Sequence, residues 1–176
     1  MKAARIHQHG GPEVLVYEDV PDPKIKANQV LVRVRASALN HLDLFVRAGI
    51  PGMKFPLPHI LGSDVAGEVL EVGELCERVK PGWRVLLSPG LSCRQCEQCL
   101  SGQDNFCRRY TLLGYGAEGG NAEQMAVPEY SVIPIPSLRR VAQSPRGTGI
   151  RNGAGRHRCR AVWNRSFLAA SPSRTC

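Results

Sequence analysis

Four cysteines stand within fifteen positions, Cys93, Cys96 and Cys99 at every third residue and Cys107 after seven more. Loops this short bring four sulfurs to one centre at small entropic cost, and four thiolates at about 2.3 Å complete the shell of a tetrahedral zinc. Such an ion has no open position for water or substrate, so it would cross-link a lobe rather than catalyse. Two other readings stay open. A bacterial iron–sulfur run starts the same way but continues C-x3-C-P, whereas here the last gap is seven residues and Arg108 follows Cys107. Disulfides or plain buried thiols are the other, and nothing else in the chain looks secreted. Cys76, Cys159 and Cys176 are scattered without partner spacing.

None of the five histidines has a partner at metal spacing. His7, His9 and His157 lie in polar or basic contexts and read as solvated, while His59 sits in a proline-rich crossing and His41 beside Asn40.

The elements that must carry the quartet read as β. Lys2 to His7 and Val14 to Val20 are short β-prone runs around the turn residues Gly10-Gly11-Pro12. Gln29 to Ala38 alternates, with Val30, Val32, Val34 and Ala36 on one face and Arg33, Arg35 and Ser37 on the other. Asn40 is placed as an N-cap ahead of one short helix that Gly49 and Pro51 stop. Asp64 to Val72 and Trp83 to Ser88 follow as strands around the type II turn Lys80-Pro81-Gly82, and Gly62 and Gly67 suggest bends or bulges in a curved sheet. The cysteine lobe, about residues 90–110, interrupts this series. Ala122 to Val127 then supplies another strand, and Val132 to Pro136 closes the pattern.

With 176 residues and 43% apolar content the chain accommodates one domain and a tail. The N-terminus lacks the apolar run of a signal peptide and no stretch approaches the ~18 to 20 apolar residues of a membrane span, so the expected setting is cytoplasmic and away from the membrane. The net charge of +8 is lopsided. Residues 1–136 hold all 15 acids and 14 basic residues, whereas residues 137–176 hold nine arginines, no lysine and no acid. The basicity belongs to the tail.

Five motifs in register, Asn40-His41-Leu42-Asp43 with Arg47 and Gly49, Pro58 to Gly67, Val79 to Val85, the cysteine quartet, and Gly119-Gly120-Asn121-Ala122-Glu123, give residues 1–136 a resemblance. They resemble the N-terminal, GroES-like domain of the medium-chain dehydrogenase/reductase superfamily, the zinc-type alcohol dehydrogenases and quinone oxidoreductases. The resemblance implies a mainly β fold, a partly open β-barrel with a few short helices and a zinc-binding lobe. It assigns Cys93, Cys96, Cys99 and Cys107 to the family's structural zinc and NAD(P) to a second, doubly wound domain.

The departures from the family pattern decide the chemistry. Its second, catalytic zinc is held by a Cys that aligns with Asn40 and a His that aligns with Ser63, and an amide and a hydroxyl are poor replacements for those donors. The proton-relaying hydroxyl aligns with Leu42. The pattern therefore resembles the quinone-oxidoreductase and enoyl-reductase branch, in which the nicotinamide passes hydride to a quinone or a conjugated enone or enal without a metal. Asn40 and Asp43 are the residues expected nearest that acceptor. The plainer reading makes Asn40 a helix cap and pairs Asp43 with Arg47.

No cofactor domain is expected after Pro136, since Gly147-Thr148-Gly149 to Gly153 misses the G-x-G-x-x-G spacing and its strand–helix context. Nine arginines without lysine or acid is what a high-GC coding sequence yields in a wrong frame. The expectation is a truncated or frameshifted chain that is inactive alone, with a disordered tail and an exposed apolar domain interface prone to self-association. The rival is a free-standing zinc-bearing β-barrel whose Arg-rich arm binds nucleic acid through phosphate charge.

Overall fold

The computed structural model describes residues 1–136; the tail expectations from Ser137 onward lie outside the described residues. The body is built on a five-stranded antiparallel sheet in the order β10-β6-β5-β3-β9: β3 (Gln29–Ala38), β5 (Asp64–Val72), β6 (Arg84–Leu87), β9 (Gln124–Pro128) and β10 (Val132–Pro134). A three-stranded sheet, β2-β1-β4, comprises β1 (Lys2–Ile6), β2 (Leu15–Asp19) and β4 (His59–Ile60). The segment before β9 touches both sheets. Ala4 donates its N–H to Asn121 O at 2.7 Å and Glu123 donates to Lys2 O at 3.0 Å, while Val34 donates to Glu123 O at 2.9 Å. The sheets thus curve toward each other without closing into a ring, the GroES-like, partly open barrel that the sequence implied.

Valine dominates the interior. Val30 and Val32 of β3, Val65 and Val69 of β5, Val85 of β6, Val127 of β9 and Val132 of β10 form one buried cluster with Leu87, Leu113 and Met125. β-branched side chains suit the pleated surface, and burying each contributes roughly 1.5–3 kcal/mol.

The alternation of β3 holds to Val34 and then fails, because the pairing with β5 steps from Val34–Gly67 to Ala36–Ala66 and leaves Arg35 as an extra residue. Ala36, expected to face inward with the valines, is exposed. Gly67 is required at this irregularity, since a Cβ there would meet Arg33 O at 2.4 Å. The Pro81-Gly82 turn forms as expected, with Gly82 at φ +84° and Trp83 N–H on Lys80 O at 3.2 Å. The strand expected over Ala122 to Val127 starts later, at Gln124, because Ala122 is spent bridging Ala3 of the other sheet. His59, expected in a proline-rich crossing, forms the strand β4 with Ile60, and the two pair with Ile6 and Arg5.

Candidate functional site

The cysteine lobe is pinched off by two short strands, β7 (Gly90–Leu91) and β8 (Thr111–Leu112), which pair antiparallel at its neck. Beyond the neck Cys93 leads into Arg94 at φ +60°, a left-handed turn that aims the next residues back toward Cys93. Cys96 sits at the N-cap of α2 (Glu97–Leu100), Cys99 lies inside that helix, and Cys107 follows a 3-10 turn at Asp104–Phe106. The lobe is tied to the barrel by Tyr130, whose hydroxyl donates to Ser92 O at 3.0 Å and accepts from Ser92 N–H at 3.1 Å. The Arg94 guanidinium lies 5.2 Å from the centre of the Tyr130 ring.

All four sulfurs lie within 4.8 Å of one another. Cys96 and Cys99 are 3.4 Å apart and Cys93 and Cys99 3.8 Å, matching the roughly 3.8 Å edge of a tetrahedron with 2.3 Å metal–sulfur bonds. All four are free thiols, against the disulfide reading. Backbone N–H groups of Cys93 and Arg109 each point at the Cys107 sulfur at 3.4 Å.

The charges divide unevenly among the thiols. The Gln95 N–H, with further N–H groups and the Arg109 side chain, pulls the Cys93 thiol down to about 5 despite its partial desolvation. Cys96 has the Cys99 N–H favouring its thiolate, yet desolvation and the adjoining sulfurs push it up to about 11. Four sulfurs sharing one pocket cannot all ionise without a cation among them, and a dication is the group that lets them. The donor set, its spacing and its N–H surroundings fit a tetrahedral zinc.

At the other expected site, α1 (His41–Ala48) begins with a complete capping box. The Asn40 Oδ1 accepts from Leu42 N–H at 3.1 Å, and the Asp43 Oδ2 accepts from Asn40 N–H at 2.7 Å. Asp43 is only 2% exposed, and its Oδ1 accepts from the buried Gly62 N–H at 2.8 Å. No ion pair to Arg47 forms among the described residues, because both carboxylate oxygens already serve backbone N–H groups; the i, i+4 pairing expected from sequence is replaced by this clamp. Gly62 holds φ +104°, and a Cβ there would meet Asn121 Oδ1 at 2.7 Å. Gly119 and Gly120 close the same junction, donating to Ile60 O and Gly62 O at 2.8 Å.

This clamp brings Asn40 beside the Gly62-Ser63-Asp64 turn, where the Asn40 Nδ2 donates to Asp64 Oδ2 at 3.1 Å. Ser63 is buried. The amide is engaged at both ends and the hydroxyl brings no soft donor, so the residues present do not fit a second, catalytic zinc. Beside the pair, Ala36, Ser37, Ala38, Asp64, Val65 and Leu86 line an open groove of about 330 Å³.

Three features escaped the sequence. His9 is part-buried, with its Nδ1 2.9 Å from Val46 O and its ring edge-on to Phe55, rather than solvated. His59 is fully buried with neither ring nitrogen hydrogen-bonded. The two backbone N–H groups on the Cys107 sulfur had no motif to announce them. His7 behaves as read, exposed and 2.6 Å from Glu18.

Comparison with known proteins agrees with this geometry. Residues 26–137 match the alcohol dehydrogenase GroES-like domain. The NAD-dependent alcohol dehydrogenase of Sulfolobus acidocaldarius is 38% identical over 135 residues, which are 74% of this chain and 39% of that protein. A crystal structure of an NAD-dependent alcohol dehydrogenase superposes with a TM-score of 0.74 at 47% identity, covering 76% of this chain and 39% of the other. A cobalt- and zinc-bound thermostable alcohol dehydrogenase from Pyrobaculum aerophilum superposes with a TM-score of 0.70 at 34% identity, covering 76% and 40%. The chain spans about two fifths of the length of these relatives. Among the described residues no helix is long and apolar enough to cross a membrane. Motifs, sheet topology and cysteine cluster agree with a family match over more than half of its length, and the chain belongs to the alcohol dehydrogenase GroES-like domain family.

Proposed function

We propose that Cys93, Cys96, Cys99 and Cys107 hold one structural zinc, and that residues 1–136 are the acceptor-side domain of an NAD(P)-dependent oxidoreductase that works without a catalytic metal. The observation that carries the first part is the cluster of four free thiols within 4.8 Å. Bound there, zinc supplies a cross-link and no reactive position. The chain's own residues do the rest. Cys93 and Cys107 fix the two ends of the lobe loop, Cys96 and Cys99 fix α2, and Tyr130 joins the lobe to the barrel.

Positions 40 and 63 alone support the second part. An amide and a hydroxyl can donate hydrogen bonds to the oxygen of a quinone, enone or enal as charge develops on it, and such acceptors are electron-poor enough to take hydride without metal polarisation. Asp43 acts through them, since it holds Asn40 and the Gly62 turn in place. NAD(P) would bind in a second domain of the whole protein, a reading that the NAD-dependence in the relatives' names supports. Exposed Leu86 and Ile133 on neighbouring strands are candidates for the apolar surface that covers or self-associates.

Metal analysis of the purified chain tests the first part, with one zinc per chain expected and none or two overturning it. For the second, residues 1–136 are fused to the cofactor domain of a relative. Reduced nicotinamide should be oxidised by a para-benzoquinone or an enal, with no oxidation of ethanol by NAD; the reverse pattern restores the alcohol reading that the relatives' names favour.

A further inference from the structure

The four thiols are not equally placed to meet an oxidant. Cys93 and Cys96 are half-buried, whereas Cys99 and Cys107 are buried. Cys99 stands close to both half-buried sulfurs, 3.4 Å from Cys96 and 3.8 Å from Cys93. The backbone favours the first of these pairs. Glu97 and Gln98, the residues between Cys96 and Cys99, are helical, which sets the two Cα atoms about 5 Å apart, inside the roughly 4.4–6.8 Å that a disulfide spans. Cys93 reaches Cys99 only across the left-handed turn at Arg94 and the start of α2. Cys107 is buried and its sulfur already receives two backbone N–H groups.

We propose that Cys96 and Cys99 form an oxidation site within the lobe, at which a hydroperoxide joins the two sulfurs as a disulfide and so expels the zinc. The proposal rests on the zinc reading above. The half-buried Cys96 thiolate attacks one peroxide oxygen; the O–O bond breaks and hydroxide leaves, giving a sulfenic acid on Cys96. The Cys99 thiolate then attacks the Cys96 sulfur and displaces a second hydroxide. Two protons from solvent convert both hydroxides to water, so two sulfurs lose two electrons and the peroxide gains them. A disulfide is no zinc ligand, and Cys93 and Cys107 alone supply two donors where a structural ion takes four, so the metal leaves as Zn2+. The β7–β8 neck and the Ser92–Tyr130 hydrogen bonds need no metal, so the lobe keeps its anchorage. A dithiol that reduces the disulfide, itself becoming oxidised, therefore restores the site.

The test uses the full, unsubstituted chain loaded with zinc, because replacing either cysteine removes a ligand as well as the pair. Hydrogen peroxide is added in steps while a chelating dye reports released zinc, and the cysteines are mapped by mass spectrometry after remaining thiols are blocked. Zinc should fall from one per chain to near zero in step with a Cys96–Cys99 disulfide, while Cys93 and Cys107 still take up the blocking reagent. A dithiol with added zinc should return the metal to one per chain. A different pair joined as zinc leaves, sulfinic acids in place of a disulfide, or zinc retained while the peroxide is consumed would overturn the assignment. If the purified chain holds no zinc, the zinc reading falls and this proposal with it; if it holds one and peroxide joins other cysteines, only the Cys96–Cys99 site falls.

Discussion

The cysteine lobe and the Asn40–Asp64 junction are the two places where the resemblance to zinc-type alcohol dehydrogenases implies metals, and they are built on opposite chemistry. In the lobe, four soft donors converge, and all four can ionise together only around a cation. At the junction, the side chains are tied to one another and to the backbone: Asn40 to Leu42 and Asp64, Asp43 to Asn40 and Gly62. Hydrogen bonds among its own residues therefore hold the geometry of the junction. The difference lies in two side chains, not in the fold.

The largest effect should come from breaking the lobe. Cys107→Ser removes a ligand that is buried and receives two N–H groups, and a structural zinc contributes on the order of 10 kcal/mol where it has been measured in small domains. Zinc content should fall from one per chain to near zero, and protease should cut between residues 93 and 107. The valine cluster of the barrel lies elsewhere, so the barrel should stay folded. Chelation of the unsubstituted chain should reproduce the result, and loss of the whole fold would show that lobe and barrel are one cooperative unit.

The hydrogen-bonded junction should break next most severely. Asp43→Ala orphans the buried Gly62 N–H and the part-buried Asn40 N–H, at about 1–3 kcal/mol each, so urea unfolding should show a loss of roughly 2–6 kcal/mol. Zinc content should not change. A loss below about 1 kcal/mol would mean that water replaces the clamp and that Asp43 is free for another role.

The two regions also differ in how far the sequence disclosed them. Ligands at every third residue and one short loop later are a spacing that chemistry alone explains, so the quartet was readable directly. The N-cap at Asn40 and the bend at Gly62 were readable too, from residue type. What stayed hidden was the partner of Asp43. Its side chain spans to residue 62, and the nearer Arg47 offered a plausible i, i+4 partner that the burial of Asp43 forestalls. The strand β3 was legible over its full length but not in its last faces, because the extra residue at Arg35 shows only in the register with β5. Gly119 and Gly120 could be quoted as a motif, yet their reason, close approach of Gly119 to the Leu61 and Gly62 backbone and of Gly120 to the Val65 side chain, is purely tertiary.

Converting one region into the other sharpens the comparison. Asn40→Cys with Ser63→His restores a thiolate and an imidazole beside the Asp64 carboxylate, at positions Asp43 still clamps. A second equivalent of cobalt should bind, and zinc at a hundredfold excess over its Kd should raise stability by about 2.7 kcal/mol. Failure of the doubly substituted chain to take a second ion would show that the junction has lost more than its donors.

The smallest effect separates two duties of Asn40. Asn40→Ala loses the cap on Leu42 N–H and the donor to Asp64, and should cost about 1 kcal/mol in unfolding experiments, as caps do. Asn40→Asp keeps a cap acceptor, and a second carboxylate at a helix N-terminus is favourable in itself, but it sets that carboxylate against Asp64 in place of the 3.1 Å hydrogen bond. Each carboxylate then raises the folded-state pKa of the other. A raised folded pKa gives a contribution present in acid and lost as pH rises through it, so Asn40→Asp should be near the unsubstituted chain around pH 4 and fall below it by pH 7. If Asn40→Asp stays level across that range while Asn40→Ala is destabilised, the cap is the whole of what Asn40 contributes, and the contact with Asp64 is incidental to how the junction is held.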